Sequence, residues 1–398
     1  MAARPPPLTG LTVLDVSTMF AGAYATQLLA DFGADVIKVE HPDGDPLRRY
    51  GPAAEGVPLA WKVLNRNKRG VVLDLHEPAG RRGLLELAAR ADALVESFRP
   101  GTLEKWGLGP QELRRDNPGL VVIRISAFGQ DGPYSRRPGF GTLAEAMSGL
   151  AAMSGEPGGA PLLPAFPLGD AVTGLQAALA ALVALRGRDR DREASGPAAP
   201  GQDADVAITE AVLGVLGAQI SVYDRTGAKP ARLGNRSANN APRGVYRCRD
   251  GRWVAVSTSA GTVAERLLRL VGRADLVAEP WFATGVGRAA HRDVLDEAVG
   301  DWIAARDRPQ VVAEFERAEA AVAPVYEVDD VLADPHFAAR GATVEIPDGE
   351  LGSIRMQNVP FRLSATPGVV RSAGPRLGEH TAEVLGGPGA PGAPDAAG

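Results

Sequence analysis

LTVLDVSTMFAGAYATQLLADFGADVIKVE, residues 11–40, decides the fold. LTVLDVS (11–17) is apolar and β-branched and predicts a buried strand. AGAYATQLLADFGA (21–34) predicts a helix that stops near Gly33. DVIKVE (35–40) is a strand again. Strand, helix and strand in that order form a βαβ unit. The alternation continues through VVLDL (71–75), a helix around AGRRGLLELAARA (79–91), DALVES (92–97) and LVVIRISAFG (120–129). Strands separated by helices of about a dozen residues predict a parallel sheet covered on both faces. Such sheets bind ligands at the carboxyl ends of their strands, which places the loops 17–21, 41–46, 97–105 and 127–140 on the working edge.

Farther along the chain the character changes. GRDRDREASGPAAPGQ (187–202) is charged, Pro/Gly-rich and aperiodic, which predicts a surface loop or insertion. DADVAITEAVLGVLGAQISVY (203–223) resumes with a strand and a helix. VYRCRDGRWVAVS (245–257) predicts a hairpin around Asp250-Gly251. Helical stretches follow to about 319, and 334–364 is strand-like. The resulting division is a large α/β domain over 1–200, a linker over 201–225, a small domain over 226–325 and a return to the large domain over 326–385. The Gly/Pro/Ala tail from 386 to 398 is low in complexity and predicts disorder.

Composition narrows the function. The 398 residues carry a net charge of −5, so no basic field is present to hold a nucleic-acid backbone. The single cysteine, Cys248, excludes an internal disulfide and a cysteine-based zinc site. The first ten residues lack an apolar core of the signal-peptide kind, and AALAALVAL (177–185) is too short to cross a bilayer. A cytoplasmic protein is the expectation, with no membrane partner. The opening βαβ invites a dinucleotide site with Glu40 on a ribose, but GxGxxG is missing, and an ordinary strand-end carboxylate is the better reading of Glu40. The five histidines form no metal-binding spacing, and neither GxSxG nor a P-loop occurs. No metal and no resident cofactor are expected.

Asp170, in PLLPAFPLGDAVTGL (161–175), admits two readings. It precedes a long Ala/Leu helix and suits an N-cap. It is also a carboxylate at a helix start with no Lys or Arg within fifteen residues, and such a group can attack an acyl carbon. Local sequence leaves both open.

Several stretches taken together resemble the class III CoA-transferases, the CaiB/BaiF family, over about residues 8–385. Besides the opening βαβ they are LNRNKRGVVLDL (64–75), VESFRPGTLEKWGL (95–108), ISAFGQDGP (125–133), LGDAVTGLQAALAALVALR (168–186), APRGVYRCRDGRWVAVS (241–257), DPHFAARG (334–341) and GPRLGEHTAEVL (374–385). The resemblance implies an enzyme that moves CoA from an acyl-CoA to a free carboxylic acid, through an anhydride and then a thioester on Asp170. Acyl-CoA and CoA are then substrates. It implies CoA contacts at Phe20, Ala21, His41, Leu73, Asp74, Leu75, His76, Ser97, Phe98, Arg99, Lys105, Arg137, Pro138, Gly139 and Phe140. His41 and His76 stand where relatives carry Arg or Lys, which weakens those two phosphate contacts. Asn239, Asn240 and Ala241 match the loop that covers the site in relatives. An interlocked homodimer is implied as well. Racemases of the same superfamily use a histidine where Phe140 stands here, and Phe140 cannot take a proton. A racemase and a catalytically silent CoA binder remain the alternatives. The acyl pocket is expected from 41–61, 137–145 and 234–243, with Tyr50, Trp61 and Phe140 as apolar walls and Arg48 or Arg49 for the second carboxylate of a substrate such as succinate.

Overall fold

The computed structural model describes residues 4–196 and 199–386. They divide into two compact units: 4–150, 163–196, 199–218 and 336–386 in the larger, 151–162 and 219–335 in the smaller.

The larger unit is built on six parallel strands: β1 (Thr12–Asp15), β2 (Asp35–Glu40), β3 (Lys68–Val72), β4 (Ala93–Glu96), β5 (Val121–Ser126) and β6 (Asp203–Ala207). Their order across the sheet is β3-β2-β1-β4-β5-β6, all parallel. This is the doubly wound arrangement of a Rossmann-like domain, with its switch point between β1 and β4. Helices α1 (Ala21–Asp31), α2 (Pro78–Ala88), α3 (Gly141–Met147), α4 (Leu168–Ser195) and α5 (Ile208–Gly214) belong to this unit. Leu29, Ala177, Ala181, Leu185 and Val212 pack on one sheet face, and Leu84, Leu87, Leu103 and Leu113 on the other. Both faces are therefore covered, which is why every residue of β5 is buried.

Three readings of the sequence need correction. The third strand runs over 68–72 rather than 71–75, because Lys68 is buried and pairs in register with Val36. Its polar start, KRG, concealed it. Residues 187–195 are the last turns of α4, and their charges lie along a helix instead of a loop. Residues 201–218, expected as a linker, carry the edge strand β6 and helix α5 of the large unit. The low-complexity tail lies, beyond Gly386, outside the described residues.

α4 is also long and apolar enough, over Leu168–Ala194, to cross a membrane by length and composition. The nine-residue run 177–185 is only the uninterrupted apolar part of this helix. In the fold its Ala177, Ala178 and Ala181 pack against the sheet, as the core helix of an α/β domain does.

Buried charges brace the carboxyl end of β1. Asp15 accepts from Ser17 Oγ and Thr26 Oγ1, each at 2.6 Å, and pairs with Lys38 at 3.4 Å and Lys68 at 2.9 Å. Burial pushes Lys68 down to about 8. Burial also works against the charge on Lys38, but the Asp15, Asp45 and Glu40 carboxylates raise it overall. Residues 372–381 cover the outer edge of β3: Gly70 N–H donates to His380 Nδ1 and Val72 N–H to Thr381 Oγ1, both at 3.1 Å.

The smaller unit holds the antiparallel strands β7 (Arg243–Arg247), β8 (Trp253–Ser257) and β9 (Val322–Pro324), with β8 in the middle. The hairpin expected at Asp250-Gly251 is present, with Gly251 at φ 80°. Leu267, Leu295, Val299 and Phe315 form its core against β8.

Candidate active site

The β1 turn opens the site. Met19 is held in the left-handed region at φ 63°, with its N–H donating to Asp45 Oδ1 at 3.2 Å. A methionine in that conformation is strained, and such strain concentrates at functional turns. Thr18 N–H donates to Ser97 Oγ at 2.9 Å, which ties the ends of β1 and β4 together at the switch point. A cleft of about 270 Å³ opens beside this tie, lined by Ser17, His41, Leu73, Leu75, His76 and Phe98 among others. The structure thus brings together the expected residues from β2, β3 and β4. Phe98 and His76 both stand edge-on to Trp106, at 5.2 and 4.9 Å between ring centres, giving the cleft aromatic walls. Arg99 and Lys105 are exposed and do not line the cleft.

His41, Asp74 and His76 each bring one donor atom within 4.8 Å of the others. Sequence spacing could not reveal this, because the two histidines come from different strand ends. Asp74 Oδ1 accepts from the His76 N–H at 2.9 Å, which holds its carboxyl below the usual range, and His76 Nδ1 lies 3.0 Å away. His41 Nδ1 accepts from Asp43 N–H at 3.1 Å, so a neutral ring carries its proton on Nε2, the nitrogen facing Asp74 at 3.7 Å. Within the cluster Asp74 is hydrogen-bonded to His76, while His41 stands 3.7 Å from it.

The pocket expected from 41–61 is only partly formed. Arg48 is committed: its Nε and Nη2 bind Glu40 at 2.6 and 2.9 Å, and its guanidinium lies 3.6 Å over the Trp61 ring. Glu40 is accordingly the structural carboxylate the sequence suggested. Trp61 is buried and donates to Pro375 O at 2.8 Å, so it walls no substrate pocket. Arg49 is exposed and lines the cleft.

Residues 137–140 follow β5. Arg137 stacks 3.7 Å over Tyr134, Gly139 packs against Ala127 and Phe128, and Phe140 is 66% exposed at the start of α3. Asp170 lies in the first turn of α4, three residues after the N-cap Pro167, so it does not cap the helix. Gly174, one turn on, packs against Ala21 O and Tyr24, which places this end of α4 beside the start of α1 with Phe20 and Ala21. Gly141 admits the Asp170 carboxylate, and Gly169 admits that of Glu145. A β-carbon at Gly141 would lie 2.9 Å from Asp170 Cγ and closer still to Oδ2. One at Gly169 would lie 3.3 Å from Glu145 Oε1. Burial pushes the Asp170 carboxyl up to about 6, and the neighbouring Glu145 carboxylate adds to the rise. The helix dipole favours an anion here, but desolvation wins. Local sequence gave no reason to single out Gly141 or Glu145; their meaning comes from α3 packing on α4.

Asn239, Asn240 and Ala241 lie in the smaller unit. Asn240 Nδ2 donates to Ser259 Oγ at 3.1 Å, and Ala241 O accepts from Arg288 Nε at 2.9 Å. Ala241 is buried in that unit's core, while Asn239 is exposed and Asn240 half-buried.

A doubly wound sheet with a cleft at its switch point and a half-buried, uncapping aspartate at the start of α4 defines an α/β enzyme of acyl or nucleotide chemistry. Residues 8–381 match CoA-transferase family III. The chain is 41% identical over 385 residues to a succinyl-CoA–D-citramalate CoA-transferase of Chloroflexus aurantiacus, covering 96% of this chain and 94% of that one. It is 33% identical to a succinate–glutarate CoA-transferase of Agrobacterium fabrum, covering 97% and 96%. A crystal structure of a CaiB/BaiF family protein from Brucella suis superposes with a TM-score of 0.83 at 33% identity, over 96% and 99% of the two chains. The chain belongs to CoA-transferase family III, and it is a CoA-transferase.

Proposed function

We propose that this chain moves CoA from succinyl-CoA to a small dicarboxylic acid through covalent intermediates on Asp170. The observation that carries the reading is a half-buried carboxylate in the first turn of α4, admitted by Gly141 and faced by no cation from its own helix before Arg186. The names of the relatives support the donor and the acceptor class.

Asp170 attacks the thioester carbonyl; the C–S bond breaks and CoA leaves as thiolate with the electron pair. The thiolate then attacks the Asp170 carbonyl of the mixed anhydride and releases the donor's carboxylate. The acceptor carboxylate attacks the aspartyl thioester, giving a second anhydride and thiolate, and the thiolate attacks the acceptor's acyl carbon to free Asp170. One thioester and one carboxylate are exchanged for another pair, so the steps are nearly balanced, and proximity supplies much of the rate. CoA lies along the carboxyl edge of the sheet, with its base in the cleft of His76, Phe98 and Trp106 and the exposed Arg99, Lys105 and Arg137 within its field. Arg49 lines that same cleft, so it meets the base end of CoA rather than the distal carboxylate of a substrate. Phe140 offers no base, which weighs against racemisation.

The working form in this reading is an interlocked homodimer. α4 is apolar on both faces: Ala177, Ala181 and Leu185 are buried, while Leu175, Leu179 and Val183 are exposed. A helix apolar all round calls for cover on both sides.

The test is incubation with a panel of acyl-CoAs and free acids, reading new CoA esters by mass spectrometry beside Asp170→Ala. Succinate and a new dicarboxyl-CoA made by the native protein, with at least a ~1,000-fold loss in the variant, are expected for a residue acting as nucleophile. Equal exchange in both proteins would refute the role of Asp170.

A further inference from the structure

A second carboxylate stands beside the first. Glu145 lies one turn along α3 from Gly141, on the face that Gly141 and Ala144 also bury. Only 2% of it is exposed. Its Oε1 accepts the N–H of Gly169 at 2.8 Å, and Gly169 immediately precedes Asp170. A β-carbon at Gly169 would stand 3.1 Å from Gly141 O, so the two helix starts lie backbone against backbone.

The surrounding helices offer no compensation. α1, α3 and α5 contain no Lys or Arg, and α4 has none before Arg186. Their other titratable groups are Tyr24 and Asp31 on α1 and Glu210 on α5. Asp31 is paired with Arg66, and Glu210 is exposed. Glu145 is the charge that acts on Asp170.

We propose that Glu145 is a positioning residue for the transfer: it anchors the first turn of α4 through Gly169 and, as a buried anion beside Asp170, drives that carboxylate toward its acylated forms. The proposal rests on the reading of Asp170 as the nucleophile. Two like charges repel strongly where water is excluded. When the Asp170 oxygen bonds to the thioester carbonyl and the C–S pair leaves on CoA, the aspartyl group becomes uncharged. It stays uncharged when the thiolate displaces the donor carboxylate and the aspartyl thioester forms. Each acylated state relieves the repulsion that the free carboxylate suffers. The same repulsion makes Asp170 more basic, and a more basic carboxylate is a stronger nucleophile at a pH where it is ionised.

Glu145→Gln keeps an oxygen for the Gly169 N–H and removes the charge. Two readouts separate tuning from mere support: kcat/KM against pH, and the mass-spectrometric fraction of aspartyl-CoA formed from succinyl-CoA without acceptor. The native acid limb is expected near pH 6. In the variant it moves down by roughly one unit, and the adduct fraction and plateau kcat/KM fall by roughly tenfold. An unmoved limb with an unchanged adduct overturns the proposal. A native limb at the ordinary aspartate position overturns it as well, and needs no variant to fold. Failure of the native protein to exchange any pair would remove the nucleophile reading and this proposal with it, whereas exchange that proceeds alike in Glu145→Gln removes only the role of Glu145.

Discussion

Asp170 taxes the fold when it is ionised. In the folded chain its carboxyl keeps its proton up to about pH 6, against an ordinary value of 3.8. Between those two points the native state binds more protons than the unfolded chain, so raising the pH through that window lowers stability. Asp170→Asn carries no such charge. It should therefore be more stable than the native protein above pH 6, by about 1–2 kcal/mol after allowance for partial exposure. The gap should close as the pH falls toward 4. Melting temperatures of the two proteins from pH 4 to 8 check this, with a difference of roughly 2–4 °C expected at the alkaline end. Parallel curves would mean that the carboxyl is not desolvated. The aspartate itself was legible from sequence, as a carboxylate opening an apolar helix. Its cap role was not taken, because the chain turns into the helix at Pro167 and not at Asp170.

Among the elements, the short α3 and the first turn of α4 act as one device, and Gly141 is where they meet. Gly141 is the first helical residue of α3, so alanine suits its backbone, yet a β-carbon would collide with the Asp170 carboxyl. Gly141→Ala should therefore lower kcat/KM by roughly 10–100-fold while the melting temperature changes little, since the displaced group moves toward solvent while the core stays packed. Steady-state kinetics beside thermal melting tests it; full activity would show that the carboxyl does not use the observed position. The strands illustrate the other limit of sequence reading. β2 coincides with DVIKVE, because the β-branched Val36, Ile37 and Val39 mark a strand even with charged residues among them. β3 was displaced by three residues, because Lys68 is buried against Asp15 of β1, far from it in the chain.

At the scale of the molecule, the exposed row Leu175, Leu179 and Val183 is the largest unexplained apolar feature of α4. The proposed dimer accounts for it. Light scattering should give twice the chain mass of 41.4 kDa. Leu179→Arg, at the middle of the row, should shift that mass toward the monomer or abolish soluble expression of the native-like form, and a native dimer undisturbed by the change would place the interface elsewhere.

What the amino-acid sequence determined by itself was local and periodic: the βαβ opening, the parallel sheet, the Asp250-Gly251 hairpin and a carboxylate at a helix start. Period and turn chemistry act over a few residues, so they can be read from the chain alone. Tertiary structure decided the rest. It joined His41 to His76 around Asp74, spent Arg48 on Glu40, extended α4 through a charged run and set Glu145 beside Asp170. Each of those depends on which elements pack together, and the cost of burying a charge is set by neighbours that the sequence places tens of residues away.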